Sequence, residues 1–94
     1  MLEVKKTQLT LEANFALRVS GNSMEPVFHD GDVVLIASQP SVEIGEIGIF
    51  ILNGEGFIKK FGGDRLISLN PDYDYIPLHD YDRIYCRGKV FGTV

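Results

Sequence analysis

A serine and a lysine are the residues of this chain whose types and surroundings best suit covalent chemistry. Ser23 lies in residues 20–26 (SGNSMEP), a composition typical of a tight turn. Lys59 lies much later in the chain, inside the apolar stretch 57–61 (FIKKF). A serine hydroxyl becomes a good nucleophile when a nearby base removes its proton, and a neutral lysine amine can be that base. The pair therefore suggests Ser–Lys hydrolysis.

Strand alternation separates Lys59 from its neighbour Lys60. Successive side chains of a strand point to opposite faces, so Phe57, Lys59 and Phe61 share one face. An exposed lysine with a pKa of about 10.4 is almost wholly protonated at pH 7, and a general base must lose that proton. Apolar surroundings disfavour the ammonium ion and lower its pKa. We therefore predict Lys59 as the base and expect Lys60 to extend towards solvent.

The segment around the serine has features that a hydrolytic intermediate needs. Gly21 permits a sharp bend, and Pro26 restricts the direction in which the chain leaves it. Consecutive backbone N–H groups on such a bend can converge on an oxyanion. We predict the N–H groups of Asn22 and Ser23 as these donors, and we expect Met24 to pack inwards and hold the turn.

Simpler explanations of the same residues stay open. A segment such as Ser-Gly-Asn-Ser is commonly only a loop, and paired lysines in a hairpin are commonly an exposed edge. His29 with Asp30 or Asp32 could form a triad with a serine, but all three lie in one turn segment, which favours a surface histidine. Cys86 lies in an alternating stretch and is better explained as a small core residue than as a nucleophile.

Composition and charge exclude several classes of function. The 94 residues are 45% hydrophobic, with 10 glycines and 4 prolines, which fits one small folded domain. A net charge of −4 with scattered basic residues argues against direct binding to nucleic acid. The longest apolar stretch, residues 47–52, is far shorter than the roughly 20 residues of a membrane-spanning helix. Residues 1–6 lack the apolar core of a signal peptide.

Cysteine and histidine usage bears on location and cofactors. The single Cys86 cannot form a disulfide within the chain, which favours a reducing, cytoplasmic setting. His29 and His79 do not fall in a metal-ligand spacing, so we expect neither a metal site nor a cofactor. The four tyrosines, at positions 73, 75, 81 and 85, are expected to be scattered packing aromatics rather than a binding surface.

Short strands separated by turns are predicted along most of the chain. Their shared feature is a β-branched or alternating apolar pattern, and they cover residues 15–19, 33–37, 47–52, 56–61, 66–69 and 83–94. Asn53-Gly54 predicts a tight hairpin, and Gly88 suggests a bulge in the last strand. We predict a mostly β, small single domain of antiparallel strands in a curled, partly closed sheet. Residues 1–13 are predicted as an N-terminal arm or edge segment and residues 14–94 as the folded domain.

Several of these segments together resemble the C-terminal domain of LexA-type and phage CI-type repressors. The resemblance is carried by residues 15–24, 30–32, 33–36, 57–60 and 87–92, and it covers roughly residues 14–94. It implies the mostly β fold shared by LexA, UmuD and signal peptidase. It also implies that Ser23 is the nucleophile and Lys59 the general base of a serine peptidase with a Ser-Lys dyad.

The resemblance further implies a transcriptional regulator of the kind that acts in an SOS response or in a phage. The usual substrate in this family is the protein's own chain, cut at an Ala-Gly or Cys-Gly bond ahead of the serine. Cleavage separates an N-terminal helix-turn-helix domain from the C-terminal domain, which also supplies dimerisation. The implied partners are a second copy of the chain, the DNA-binding domain with its cleavage loop, and a RecA-type co-protease.

The chain departs from the complete family pattern. It contains no Ala-Gly or Cys-Gly dipeptide, and the residues before Ser23 are too few to hold the cleavage loop. We therefore expect an excised C-terminal domain whose scissile bond lies outside this chain, with a processed UmuD-like product as the other explanation. Two further functions stay open: a catalytically silent dimerisation module of a phage-type repressor, and a signal-peptidase-like hydrolase, which is less favoured because the chain has no anchor.

Overall fold

The described part of the chain, residues 13–94 of a computed structural model, consists of strands and the turns between them. Apart from Ala13, the predicted N-terminal arm lies outside the described residues. The seven strands are β1 (Phe15–Arg18), β2 (Val33–Ala37), β3 (Ile47–Leu52), β4 (Glu55–Phe61), β5 (Arg65–Ile67), β6 (Ile76–Pro77) and β7 (Ile84–Thr93).

The prediction of a mostly β domain is confirmed, and the ends of the predicted strands lie within two residues of those observed. The two-residue strand β6 lies where the sequence predicts none, because a strand so short has no readable alternation. Within residues 13–94, no helix is long and apolar enough to cross a membrane.

All neighbouring strands pair antiparallel in one sheet, whose order is β1-β2-β7-β3-β4-β5-β6. Among the strands of residues 13–94, β1 and β6 form the two edges, and these seven strands do not form a closed sheet. The last strand of the chain lies in the middle of the sheet, between β2 and β3. Strand β7 therefore joins the strand pair that flanks Ser23 to the strand pair that carries Lys59.

Two bulges interrupt the pairing of β7 with its neighbours. Opposite β3 the register shifts between Ile49 and Phe50, which pair with Gly88 and Cys86 and leave Arg87 as the extra residue. This bulge adjoins Gly88, as predicted. Opposite β2, a second register shift leaves one residue of β7 without a partner on β2. Because each bulge bends a strand and increases its twist, the pair curls the sheet.

The hairpin between β3 and β4 determines where Lys59 lies. Asn53 has a φ of 50° and Gly54 a φ of 85°, the left-handed values of a type I′ turn, which matches the right-handed twist of the flanking strands. This two-residue turn pairs Leu52 with Glu55 and so brings Lys59 opposite Gly48. The predicted hairpin is therefore confirmed.

The hydrophobic core has two clusters. The first contains buried residues of the segment before Ser23, the segment after it, and four strands: Val19, Met24, Phe28, Val34, Ile36, Ile49, Ile58 (partly buried) and Val90. The second lies under β3 to β6 and contains Val42, Phe50, Leu52 and Leu66. Residues 34–36 are at most 1% exposed, so β2 is buried on both faces, as its continuous β-branched run predicts.

The expectation of packing tyrosines is wrong. Tyr73, Tyr75, Tyr81 and Tyr85 are 46% to 72% exposed. Three of them flank β6, which no other strand of residues 13–94 covers on its outer side, and the fourth lies on an exposed position of β7. Tyr75 is covered on one face by the guanidinium of Arg65, whose Cζ lies 4.3 Å from the ring centroid.

Candidate active site

The structure brings Ser23 and Lys59 into direct contact. Ser23 lies in the turn between β1 and β2, and Lys59 lies near the middle of β4. Lys59 Nζ donates a hydrogen bond to Ser23 Oγ at 2.7 Å. Lys59 is the one charged residue among the buried residues of the described chain, with only 6% of its surface exposed. A nucleophile and a base at this separation can exchange a proton directly.

The surroundings of Lys59 favour its neutral form. Burial removes water from the ammonium group and lowers the pKa of Lys59 below its ordinary value. The ring of Phe57, the aromatic neighbour predicted from strand alternation, has its centroid 5.9 Å from Nζ. Within residues 13–94 no carboxylate forms a salt bridge with Lys59, and burial is the cause of its lowered pKa.

Lys60 occupies a different position, as alternation predicts. It is half-buried, and it pairs with Ile47 and Ile67 in the sheet ladders rather than contacting Ser23. The two lysines are adjacent in sequence but lie on opposite faces of β4. This difference selects Lys59 as the partner of the serine.

Asp30 holds the serine turn, defined as residues 20–26, and Asp32 holds the segment that follows it. Asp30 Oδ1 accepts a hydrogen bond from the Gly21 N–H at 2.8 Å, and Asp32 Oδ2 accepts one from the His29 N–H at 2.8 Å. Gly21 has a φ of 87°, the bend for which a glycine was predicted. The aspartates thus act locally on the backbone, with no contact to Ser23 Oγ.

The predicted inward packing of Met24 is confirmed. Met24 is 1% exposed and belongs to the first core cluster. Its carbonyl accepts hydrogen bonds from the N–H groups of Val27 at 3.1 Å and Phe28 at 3.0 Å. Burying a side chain of this size contributes about 1.5–3 kcal/mol, so the residue after Ser23 is firmly anchored.

Asn70, in the loop between β5 and β6, binds the other side of the serine turn. Its N–H donates to Ser23 O at 3.0 Å, and its Nδ2 donates to Asn22 O at 2.9 Å. Sequence reasoning missed this residue. The Asn70-Pro71-Asp72 turn is visible in the sequence, but nothing in it indicates a contact with a segment so distant along the chain.

The predicted oxyanion donors are the N–H groups of Asn22 and Ser23. Both residues line the cleft that contains Lys59. Among the hydrogen bonds formed within residues 13–94, none uses either of these N–H groups as donor, whereas the carbonyls of both residues are engaged. Their role in stabilising an oxyanion stays a prediction.

An apolar cleft of about 660 Å³ opens beside the Ser–Lys pair. Leu17, Ile51, Phe57 and Ile76 are among its apolar lining residues, and Ser23 and Lys59 supply reactive groups. This volume lies within the range of about 300–1,000 Å³ that is usual for ligand pockets. The cleft is therefore of a size that could hold a ligand beside the pair.

The alternative sites considered from the sequence are not assembled. His29 is exposed, and its Nδ1 lies 3.4 Å from Glu25 Oε1 rather than near a serine hydroxyl. Cys86 is half-buried and packs against the second core cluster, as predicted for a small core residue. Within residues 13–94, no group of three or more His, Cys, Asp and Glu side chains could hold a metal ion.

Comparison with known proteins identifies the family of this chain. Residues 1–91 match the model of the family described as peptidase S24-like. The chain belongs to the peptidase S24-like family. It is similar to the LexA repressor of Carboxydothermus hydrogenoformans, with 34% identity over 99% of this chain and 48% of the relative. It is also similar to the LexA repressor of Syntrophobacter fumaroxidans, with 39% identity over 99% of this chain and 47% of the relative. The LexA repressor of a Nocardioides species is 43% identical over 85% of this chain and 33% of the relative.

These similarities confirm the resemblance found in the sequence. Membership of the S24-like family supports a peptidase or autopeptidase kind of activity, and the LexA relatives support a LexA-like domain. The chain spans about half or less of the length of these relatives.

Proposed function

We propose that this chain is the C-terminal autopeptidase and dimerisation domain of a LexA- or CI-like transcriptional repressor. The observation that carries the proposal is the 2.7 Å hydrogen bond between Lys59 Nζ and Ser23 Oγ, made by a lysine that is only 6% exposed. Ser23 acts as the nucleophile and Lys59 as the general base. The bond that is cut is of the Ala-Gly type and lies outside residues 1–94.

The first half of the proposed reaction transfers an acyl group to the serine. Neutral Lys59 Nζ takes the proton of Ser23 Oγ as Oγ forms a bond to the carbonyl carbon of the scissile peptide. The N–H groups of Asn22 and Ser23 donate to the oxyanion of the tetrahedral intermediate. The carbon–nitrogen bond then breaks, and the Lys59 ammonium gives its proton to the leaving amine.

The second half hydrolyses the resulting ester. A water molecule loses a proton to Lys59 and forms a bond to the acyl carbon, and Ser23 Oγ leaves and takes the proton back. The products are a carboxylic acid and an amine, which become a carboxylate and an ammonium group when the acid proton passes to the amine, and both dyad residues return to their starting states. The apolar lining of the cleft keeps bulk water away during the first half.

The proposed partners follow from the repressor function. A second copy of the chain forms the homodimer that a two-fold operator requires. A helix-turn-helix domain elsewhere in the protein binds that operator, since the net charge of −4 makes this domain unsuited to DNA. A RecA-type co-protease would trigger self-cleavage in an SOS-type response.

A fluorophosphonate tests whether Ser23 is an activated nucleophile in this 94-residue chain. Ser23 Oγ forms a bond to phosphorus, fluoride leaves, and the serine proton passes to Lys59. We expect one phosphonyl group on Ser23 by mass spectrometry and none in Ser23→Ala. Lys59→Met should react at least 100-fold more slowly, since a general base contributes about 10²–10⁴-fold.

Matched controls are the neighbouring lysine and a remote exposed serine. Lys60→Met and Ser41→Ala should react at the wild-type rate. Equal rates for wild type and Lys59→Met would contradict Lys59 as the base. Failure of the folded wild-type chain to react would favour a catalytically silent dimerisation module.

Self-cleavage of the natural gene product provides the second test. Ser23→Ala and Lys59→Met should each prevent processing while sedimentation still shows a dimer. Processing of both variants at the wild-type rate would contradict the autopeptidase proposal, and a monomer at high concentration would contradict the dimerisation proposal.

A further inference from the structure

Asn70 uses all of its hydrogen-bonding groups to connect its own loop to the serine turn. Two donors, N–H and Nδ2, contact the carbonyls of Ser23 and Asn22 at 3.0 and 2.9 Å. Its two acceptors stay within its loop: Oδ1 accepts from the Asp72 N–H at 3.0 Å, and its carbonyl accepts from the Tyr73 N–H at 3.1 Å. The amide orientation is therefore unambiguous, because a flipped side chain would lose both of its bonds.

We propose that Asn70 is a positioning residue that aims the backbone N–H of Ser23 at the oxyanion. The inference rests on the proposed function, because it assigns a role within the same reaction. Asn70 touches neither Ser23 Oγ nor Lys59 Nζ among the described hydrogen bonds, so its effect passes through the backbone of the serine turn.

Because a peptide unit is planar, a hydrogen bond to its carbonyl also fixes the orientation of its N–H. The C=O of Asn22 and the N–H of Ser23 belong to one rigid, trans peptide unit, and they point in opposite directions. The hydrogen bond from Asn70 Nδ2 fixes the direction of the Asn22 carbonyl. It therefore also fixes the direction of the Ser23 N–H, which points the opposite way. The contact between the Asn70 N–H and the Ser23 carbonyl orients the next peptide, which carries the Met24 N–H, in the same way.

The position of Asn70 is itself well constrained. The following residue is Pro71, which restricts the backbone of the residue before it to extended conformations. The two bonds within its loop add to this restraint. At the other end of the serine turn, Asp30 Oδ1 holds the Gly21 N–H at 2.8 Å. The peptide units around Ser23 are thus restrained from both ends, as a preorganised oxyanion site requires.

Two substitutions remove the Nδ2 donor, and only Asn70→Asp keeps the Oδ1 acceptor. Asn70→Asp keeps the acceptor for the Asp72 N–H but replaces Nδ2 by an oxygen that faces the Asn22 carbonyl. Asn70→Ala removes the donor without adding a charge that could alter the protonation of Lys59. Both variants retain the backbone N–H that contacts Ser23 O. Asn14→Asp is a matched control, since its Oδ1 accepts from the Ser38 N–H away from the cleft and survives the change.

The test measures fluorophosphonate inactivation of Ser23 from pH 6 to 10 in each variant. We expect the maximal rate at saturating reagent to fall about 10-fold in Asn70→Ala, less than the 10²–10³-fold loss when an oxyanion donor is removed. The half-saturating concentration and the midpoint of the pH profile should stay unchanged. Asn70→Asp should lose at least as much, and Asn14→Asp should match the wild type. The Ser23 amide resonance in an ¹⁵N–¹H spectrum should shift in both Asn70 variants.

Three results would overturn the inference. They are a wild-type maximal rate in a folded Asn70 variant, a change confined to the pH midpoint, and a Ser23 amide resonance that does not move. If circular dichroism shows that Asn70→Ala is unfolded, the maximal rate of Asn70→Asp tests the inference instead. A parallel measurement of Lys59→Met distinguishes failure of the Asn70 role from failure of the proposed Ser–Lys function. A slow Lys59→Met with a normal Asn70→Ala refutes only the role of Asn70, and a fast Lys59→Met refutes the proposed function.

Discussion

Lys59 combines a titratable side chain with a buried position, and these two properties oppose each other energetically. A buried ammonium group loses its hydration, and Ser23 Oγ, at 2.7 Å, is a weaker substitute for water than a carboxylate would be. Burial therefore lowers the pKa of Lys59. Desolvation of Lys59 therefore lowers the stability of the fold and also favours a neutral amine beside the nucleophile. Such opposition between stability and activity is common in active sites.

Replacing Lys59 with an apolar residue of similar length should remove that penalty. Between its lowered folded pKa and its ordinary value of 10.5, Lys59 binds more protons in the unfolded chain than in the folded chain. The wild-type free energy of unfolding should therefore rise with pH across this interval. We expect Lys59→Met to be more stable by roughly 1 kcal/mol at pH 7 and to lose this advantage towards pH 10.

Urea unfolding at pH 6, 8 and 10 measures this difference. Lys60→Met is the control, because its difference from the wild type should not change in the same way with pH. A Lys59→Met variant that is less stable than the wild type at pH 7 would show that the buried amine is not a destabilising element.

At the scale of the elements, β7 is the strand on which the sheet depends. It pairs with β2 on one side and with β3 on the other, and its two bulges curl the sheet at these junctions. At Gly88 the backbone of β7 approaches β2 closely. A Cβ atom there would lie 2.5 Å from Ala37 O and 2.6 Å from Ile36 Cγ2. The glycine is needed for this approach and not for an unusual φ.

Gly88→Ala should therefore force β2 and β7 apart. We expect a loss of about 1–3 kcal/mol in the free energy of unfolding, which is the usual cost of overpacking. Gly56→Ala on β4 is a useful comparison, because its Cβ would make only an ordinary contact at 3.7 Å with Ile51 Cδ1. Chemical denaturation measures both variants. Equal losses at the two positions would contradict the close approach at Gly88.

At the scale of the whole molecule, the candidate site depends on cooperative folding. Ser23 lies between β1 and β2, Lys59 lies on β4, and β7 and β3 lie between these two parts of the sheet. The first core cluster includes Met24, next to the nucleophile, and Ile58, next to the base. Loss of this core would separate the dyad at the same time as it unfolds the sheet.

Ile36→Ala tests this coupling. Ile36 is 0% exposed, and its truncation should cost about 2–5 kcal/mol, while Ile44→Ala, at a position 72% exposed, should change stability by less than about 0.5 kcal/mol. Thermal unfolding can be monitored both by circular dichroism and by the residual phosphonylation of Ser23. Within each variant, the two probes should give the same midpoint. Loss of Ser23 reactivity well below the melting temperature would show that the site opens locally instead.

Features that depend on short-range geometry could be predicted from the amino-acid sequence. Strand alternation separated Lys59 from Lys60, the left-handed preference of Asn53-Gly54 predicted the hairpin, and Gly88 indicated the bulge. Each rests on neighbouring residues and on the two-residue period of a strand. The resemblance to LexA-type domains then assigned roles to Ser23 and Lys59, whose catalytic function stays a proposal.

Contacts between distant segments became known from the three-dimensional structure. It placed β7 between β2 and β3, left the tyrosines around β6 exposed, and brought Asn70 against the carbonyls of Asn22 and Ser23. None of these follows from local pattern, because any edge strand or turn asparagine could have many partners. The physical reason is that strand order and loop contacts depend on how the whole core packs, whereas turns and alternation depend on a few backbone dihedral angles.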